Sequence, residues 1–204
     1  MAENQKVAQE YIDNAFIYET YREALDGLLA EDPTIVNYTD SQLVDYTRLN
    51  VTRMQRIDKT NRLLDDLRTA GRALNKSVYW LVITEGWCGD AAQSTPIIAA
   101  AAQVSPKIDL RFILRDNNVD LMEQFLTNGS RSIPKLLVID QKTNEVLATW
   151  GPRPKELTDL ISEIKKEVGD DKQQFSMKIQ RWYNKDKGKA IMKDLQKILE
   201  DITE

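Results

Sequence analysis

A lone cysteine, Cys88, stands in the segment Trp87-Cys88-Gly89-Asp90-Ala91, where an apolar run gives way to an alanine-rich stretch. A thiol can attack a disulfide, take up an oxidant or ligate a metal, and the thiolate is the reactive form. What Cys88 can do therefore depends on the elements that hold it. Val78-Tyr79-Trp80-Leu81-Val82-Ile83-Thr84 is rich in β-branched and aromatic residues and predicts a buried strand, and Ala91 to Ala102 predicts a helix. Cys88 then falls in the first helical turn, where unpaired amides and the helix dipole favour a thiolate. Asp90 acts in two ways. Its carboxylate suits a helix start, contributing roughly 0.3–1 kcal/mol, but its charge opposes ionisation of the neighbouring thiol. The sign of the net shift is open at this level.

Composition removes whole classes of chemistry. With one cysteine and no histidine in 204 residues, the chain can form no internal disulfide, no Cys/His zinc site, and no Ser-His-Asp or Cys-His catalytic pair. A net charge of −4 gives no electrostatic case for nucleic acid or an anionic membrane as partner. The basic run Lys185-Asp186-Lys187-Gly188-Lys189 reads as a solvated loop between helices. There is neither a glycine-lysine phosphate loop nor a dinucleotide fingerprint, so no bound cofactor is expected, and no metal. The first residues lack the basic start and apolar run of a signal peptide, and no stretch approaches the roughly 20 apolar residues of a membrane span. The expected location is the cytoplasm.

The elements fall into three parts. Residues 1–76 predict a helical extension, with Tyr11, Ile12, Ala15, Phe16, Leu25, Leu28 and Leu29 at helical spacing and Asp32-Pro33 as its stop. A second helix starts at Thr39-Asp40-Ser41-Gln42, its apolar side including Leu43, Tyr46, Leu49, Met54 and Ile57. Leu63, Leu64 and Leu67 continue it directly or after a bend. Residues 77–168 alternate: strand 78–84, helix 90–103, strand 108–114, helix 119–127, strand 135–140, strand 145–150 and helix 154–168. The short polar link Gln141-Lys142-Thr143-Asn144 makes the last two strands antiparallel, and the whole reads as an α/β sheet flanked by helices. Residues 169–204 return to helix, with Phe175, Ile179 and Trp182 on one buried face and Ile191, Leu195, Ile198 and Leu199 on another.

The central part resembles the thioredoxin fold. Trp87-Cys88-Gly89-Asp90-Ala91 stands where thioredoxins carry Trp-Cys-Gly-Pro-Cys; Pro96 matches the proline of their active-site helix; Ser132-Ile133-Pro134 matches their cis-proline segment; and Gly151 matches a glycine beyond the last strand. The flanks 49–60 and 182–189 resemble a bacterial subgroup of thioredoxin-like proteins in which Trp-Cys-Gly-Asp replaces Trp-Cys-Gly-Pro. The resemblance implies a thioredoxin-like α/β fold with helical extensions at both ends. It implies Cys88 as nucleophile, Trp87, Gly89, Asp90 and Ala91 as its active-site segment with Trp87 an exposed apolar rim, and Ile133 and Pro134 as the groove for an extended partner. Lys135 and Arg131 become candidates to offset Asp90, as do Arg53 and Arg56 if the N-terminal helix covers the site.

Two departures from the family bear on mechanism. Ala91 replaces the resolving cysteine, so a mixed disulfide on Cys88 cannot be released by the chain's own thiol. Val82 replaces the buried aspartate that serves that second cysteine. The expected activity is thiol–disulfide exchange of monothiol type on protein or low-molecular-weight disulfides, with glutathione, bacillithiol or another small thiol as co-substrate. The alternative is a non-catalytic binding or adaptor protein that keeps the cis-proline groove. A weaker third reading is a peroxide sensor passing through a Cys88 sulfenic acid. Oligomeric state has no signature in the sequence.

Overall fold

The computed structural model describes residues 5–30 and 38–203. A four-stranded sheet is built from β1 (Val78–Thr84), β2 (Ile108–Leu114), β3 (Lys135–Asp140) and β4 (Val146–Trp150), in the order β2-β1-β3-β4. β1 runs parallel to β2 and antiparallel to β3, which pairs antiparallel with β4. Because side chains alternate across a strand, β1 feeds two cores. Trp80 and Val82 point into one with Phe112, Leu136 and Val138; Leu81 and Ile83 point into the other with Ile113, Leu137 and Ile139. Burial on both faces explains why β1 reads as a continuous apolar run.

Helices precede, join and follow the strands: α1 (Gln9–Asp13), α2 (Tyr18–Leu29), α3 (Ser41–Thr60), α4 (Asp65–Ala73), α5 (Gly89–Ala102), α6 (Val119–Glu123), α7 (Lys155–Val168), α8 (Lys172–Asp186) and α9 (Lys189–Thr203). Asp40 caps α3, accepting from the Gln42 amide at 2.8 Å. The bend after α3 is real, and Leu64 precedes a separate α4. α3 packs along α5, and α9 packs on both α4 and α5. Pro96 lies inside α5, as expected of the active-site helix.

Several sequence expectations are corrected. The apolar residues of 11–16 do not form one long helix: α1 stops at Asp13, and Phe16 exchanges backbone hydrogen bonds of 2.8 and 2.7 Å with Phe112, as an isolated bridge on the edge of β2. Lys6 bridges to Glu145 beside β4 in the same way. The proposed stop at Asp32-Pro33 lies outside the described residues. In α3 the buried face is Thr47, Asn50, Val51, Met54 and Ile57, while Tyr46 and Leu49 are 56% and 48% exposed. The rotation has a cause: Thr47 and Asn50 are needed against the turn that precedes Cys88. α6 ends at Glu123 rather than near 127, because Thr127 and Ser130 pair with each other across Asn128-Gly129, both at positive φ.

Candidate functional site

The turn leading from β1 into α5 is clamped before it reaches Cys88. Glu85, 1% exposed, accepts from the Tyr38 hydroxyl at 2.6 Å and the Asp116 amide at 2.8 Å. Burial pushes its carboxyl above the ordinary range, and the two donors work against that rise. The Tyr38 oxygen also accepts from the Gly86 amide at 3.0 Å, and Asn50 of α3 donates to the Gly86 carbonyl at 2.9 Å. A Cβ on Gly86 would come within 2.6 Å of Leu25 and 3.1 Å of Thr47, so α2 and α3 close on this turn only because it carries no side chain.

Cys88 is the N-cap of α5, with extended backbone (φ −78°, ψ 116°). Its Sγ accepts from the Ala91 amide at 3.4 Å and donates to the Ile133 carbonyl at 3.3 Å. The residue is 8% exposed and packs with Leu81, Ala91, Ile113 and Ile133. Burial pushes the thiol up to about 12; Asp90 adds to the rise, while the Ala91 and Asp90 amides and the Arg153 guanidinium pull downward without offsetting it. The sign left open by the sequence is thus upward. At neutral pH this cysteine is a protonated thiol that uses its S–H as a donor.

Asp90 finds its cation where the sequence did not look. Arg153, in the loop after β4, places Nη2 2.6 Å from Oδ2 and Nε 3.1 Å from Oδ1, a bidentate pair, and the Tyr183 hydroxyl of α8 donates to Oδ1 at 3.0 Å. The expected candidates are engaged elsewhere. Lys135 is buried with Nζ donating to Thr127 Oγ1 at 3.1 Å, and Arg131 pairs with Glu123. Arg56 donates to Asn184 Oδ1 at 2.8 Å. Arg53 does reach the site: its Nη1 would lie 3.7 Å from a Cβ on Gly89, and it donates to Asn50 Oδ1 at 2.8 Å. It is half-buried, and burial lowers its pKa. Gln180 of α8 would be 3.3 Å from the same Cβ. Gly89 therefore lies between α3 and α8, and both flanking helical segments reach the active-site segment.

On the far side of the thiol, the Ile133–Pro134 peptide is cis. Ile133 is 6% exposed, and Pro134 is also buried. Gly151, at φ +108°, fits against Pro134 so closely that a Cβ would fall 2.2 Å from the Pro134 carbonyl oxygen. This contact gives the matched glycine its physical reason. Trp87 is half-buried rather than an exposed rim, with the Arg115 guanidinium 4.8 Å from its ring centroid. Ala91, at the resolving-cysteine position, is 1% exposed beside Cys88, and Val82 is fully buried. Among the described residues, no group of three or more Cys, Asp or Glu is placed to hold a metal ion. Among those same residues, no helix is long and apolar enough to cross a membrane.

Glu85, Tyr38, Asn50, Arg153 and Tyr183 are the site residues that sequence reasoning missed. Arg153 had a signal: Gly151-Pro152-Arg153-Pro154 places an arginine between two prolines, just beyond the matched glycine. Tyr183 and Asn50 lie in the flanks 182–189 and 49–60 that carry the subgroup resemblance, but nothing in the sequence directs Tyr183 to Asp90, 93 residues away.

Comparison with known proteins agrees with this geometry. No curated protein matches the chain. A crystal structure of a protein of unknown function from Pseudomonas aeruginosa superposes with a TM-score of 0.65 at 17% identity, over 96% of this chain and 98% of that one. An HIV epitope-scaffold superposes with a TM-score of 0.59 at 19% identity, over 94% of this chain and 96% of that one. At such identities the likeness is one of fold. A family model described as thioredoxin matches residues 37–168, which takes in α3 and α4 as well as the sheet. With more than half its length matched, the chain belongs to the thioredoxin family.

Proposed function

We propose that the chain carries out thiol–disulfide exchange through Cys88 alone, from a resting state in which the thiol is covered and protonated. The observation that carries this reading is the placement of Cys88 Sγ at the N-cap of α5, 3.3 Å from the Ile133 carbonyl that precedes the cis Pro134. After the thiol loses its proton to solvent base, its sulfur attacks one sulfur of a disulfide. A Cys88–sulfur bond forms, the old sulfur–sulfur bond breaks, and one thiolate leaves. A second, external thiolate then attacks the substrate-derived sulfur and releases Cys88, because Ala91 offers no internal alternative. That thiol is glutathione, bacillithiol or another thiol of low molecular weight, and the substrates are protein or small disulfides. An intracellular, reducing compartment fits a lone free cysteine.

Burial of Cys88 favours a second reading, a binding protein that uses the groove beside Ile133 and Pro134 and not the thiol. Glutathione-coupled reduction of hydroxyethyl disulfide separates the two. Exchange should be present in the natural protein and abolished in Cys88→Ala. Equal rates in both proteins would overturn the exchange reading.

A further inference from the structure

Gly89, Gln93 and Ile97 lie four residues apart on α5 and so form one stripe on its surface. α3 and α8 run along either side of that stripe. At its start they close on Gly89 through Arg53 and Gln180, and Gln93 donates to Gln180 at 2.8 Å. Further along they separate. The opening is a cavity of about 350 Å³, within the range of small-molecule sites. Its apolar wall is Ile57 and Ile97 with Tyr183; its polar side carries Arg56, Asn184 and Lys187. The turn Lys187-Gly188 closes the end, and it can do so because Gly188 sits against Ile97, where a Cβ would be 2.8 Å from that side chain.

The charges in this cavity have one sign. Arg56 and Lys187 line it, and no carboxylate does among the described residues. Neither cation belongs to any ion pair among those residues. Arg56 spends one N–H on Asn184, which fixes the guanidinium at the rim and leaves its remaining donors for an occupant. The nearby acid, Asp186, is turned to the start of α9, where both of its oxygens accept from the Ala190 amide at 3.2 Å. A chain with a net charge of −4 repels anions as a whole, so a local pair of unpaired cations over an apolar wall is a selective feature.

We infer that the cavity between α3, α5 and α8 binds a small organic anion, an apolar body bearing a single carboxylate, sulfonate or phosphate group, with the anion on Arg56 and Lys187 and the body against Ile57, Ile97 and Tyr183. The site is separate from Cys88 and does not rest on the exchange reading. Tyr183 belongs to both places, lining the cavity and donating its hydroxyl to Asp90.

The test uses 8-anilinonaphthalene-1-sulfonate and its uncharged counterpart N-phenyl-1-naphthylamine on the full chain. Fluorescence titration and amide chemical-shift mapping are read together. The sulfonate should bind one-to-one and shift amides in 56–61 and 183–188. The neutral probe should bind at least tenfold more weakly. The double variant Arg56→Gln, Lys187→Gln, whose changes lie on exposed positions, should weaken the sulfonate at least tenfold with an unchanged circular dichroism spectrum. No binding, shifts confined to other surfaces, equal affinity for the two probes, or an unaffected double variant would each overturn the inference.

Discussion

Raising the pH should increase Cys88 reactivity by close to a decade per unit from neutrality to beyond pH 10, with no plateau in that range. The thiol is pushed up to about 12, so its thiolate fraction at pH 7 is about 10⁻⁵, against roughly 3% for an unperturbed cysteine near 8.5. That ratio is about three and a half decades. A more basic thiolate is a better nucleophile, and a Brønsted coefficient of about 0.4–0.5 returns roughly one and a half decades. Alkylation of the folded protein at pH 7 should then be about a hundredfold slower than that of the same chain in urea, before any loss from restricted access. The assay is iodoacetamide labelling followed by intact mass, and it is unambiguous because the chain holds one cysteine. A plateau with a midpoint at or below 8.5, or folded-state labelling at neutral pH as fast as in urea, would refute the reasoning that burial and Asp90 outweigh the helix amides.

Three further outcomes follow from the same contacts. Asp90→Asn removes a charge that opposes the thiolate and leaves the Arg153 guanidinium beside it; a fall of about one pKa unit gives roughly tenfold more thiolate, of which the lower basicity takes back about 0.4–0.5 decade, so labelling at pH 7 should rise roughly three- to fourfold, and a slower reaction would contradict the assignment. The raised Cys88 pKa also links to stability: folded protein keeps the proton that the unfolded chain loses above about 8.5, so the contribution is complete below that pH and is lost as pH rises toward the folded value. Between pH 7 and 10 the natural protein should lose about 2 kcal/mol relative to Cys88→Ala, measured by urea denaturation of both, and parallel curves would exclude it. Gly151→Ala meets both a φ of +108° and an approach of 2.2 Å to the Pro134 carbonyl oxygen, and should cost more than about 2 kcal/mol in the same experiment.

The sheet was legible because its residues carry local signals. Strands 78–84, 108–114 and 135–140 coincide with the expected runs, since 78–84 and 136–139 are continuous apolar or β-branched segments covered on both faces, and 108–112 alternates apolar with polar residues before the buried Phe112-Ile113-Leu114. The Asp40 cap was legible for the same reason, a side chain acting within two residues of itself. α3 shows where such reading fails. Apolar periodicity puts Tyr46 and Leu49 inward, yet the helix buries Thr47 and Asn50, because a turn 36 residues away in sequence needs a donor for the Gly86 carbonyl. The position of the thiol could be read from Trp87-Cys88-Gly89 and the distant Ile133-Pro134. Its state could not, because burial sets it first, through chain such as Ile133 that closes on Sγ from 45 residues away, and Arg153, which tempers Asp90, reaches that carboxylate from 63 residues away.

The exchange proposed for Cys88 would require space that the resting structure does not provide, since Sγ lies 3.3 Å from one carbonyl and the residue is 8% exposed. Some element must move, and the contacts single out α8. It crosses Gly89 through Gln180 and is tied to the active-site segment by the Tyr183 hydroxyl on Asp90. α3, by comparison, is fixed to the preceding turn by Asn50 and its cluster of buried neighbours. Tyr183→Phe keeps the ring and removes that hydrogen bond to a carboxylate, which is worth about 1.5–3 kcal/mol. If α8 is the cover, that change raises the open population by at least about tenfold, and labelling of Cys88 at fixed pH should accelerate by the same factor. Loss of the donor also leaves Asp90 less neutralised, which holds the thiol pKa up rather than lowering it. A faster reaction whose pH dependence has not moved to lower pH would therefore report opening and not activation. Labelling no faster than in the natural protein would assign the cover to another element.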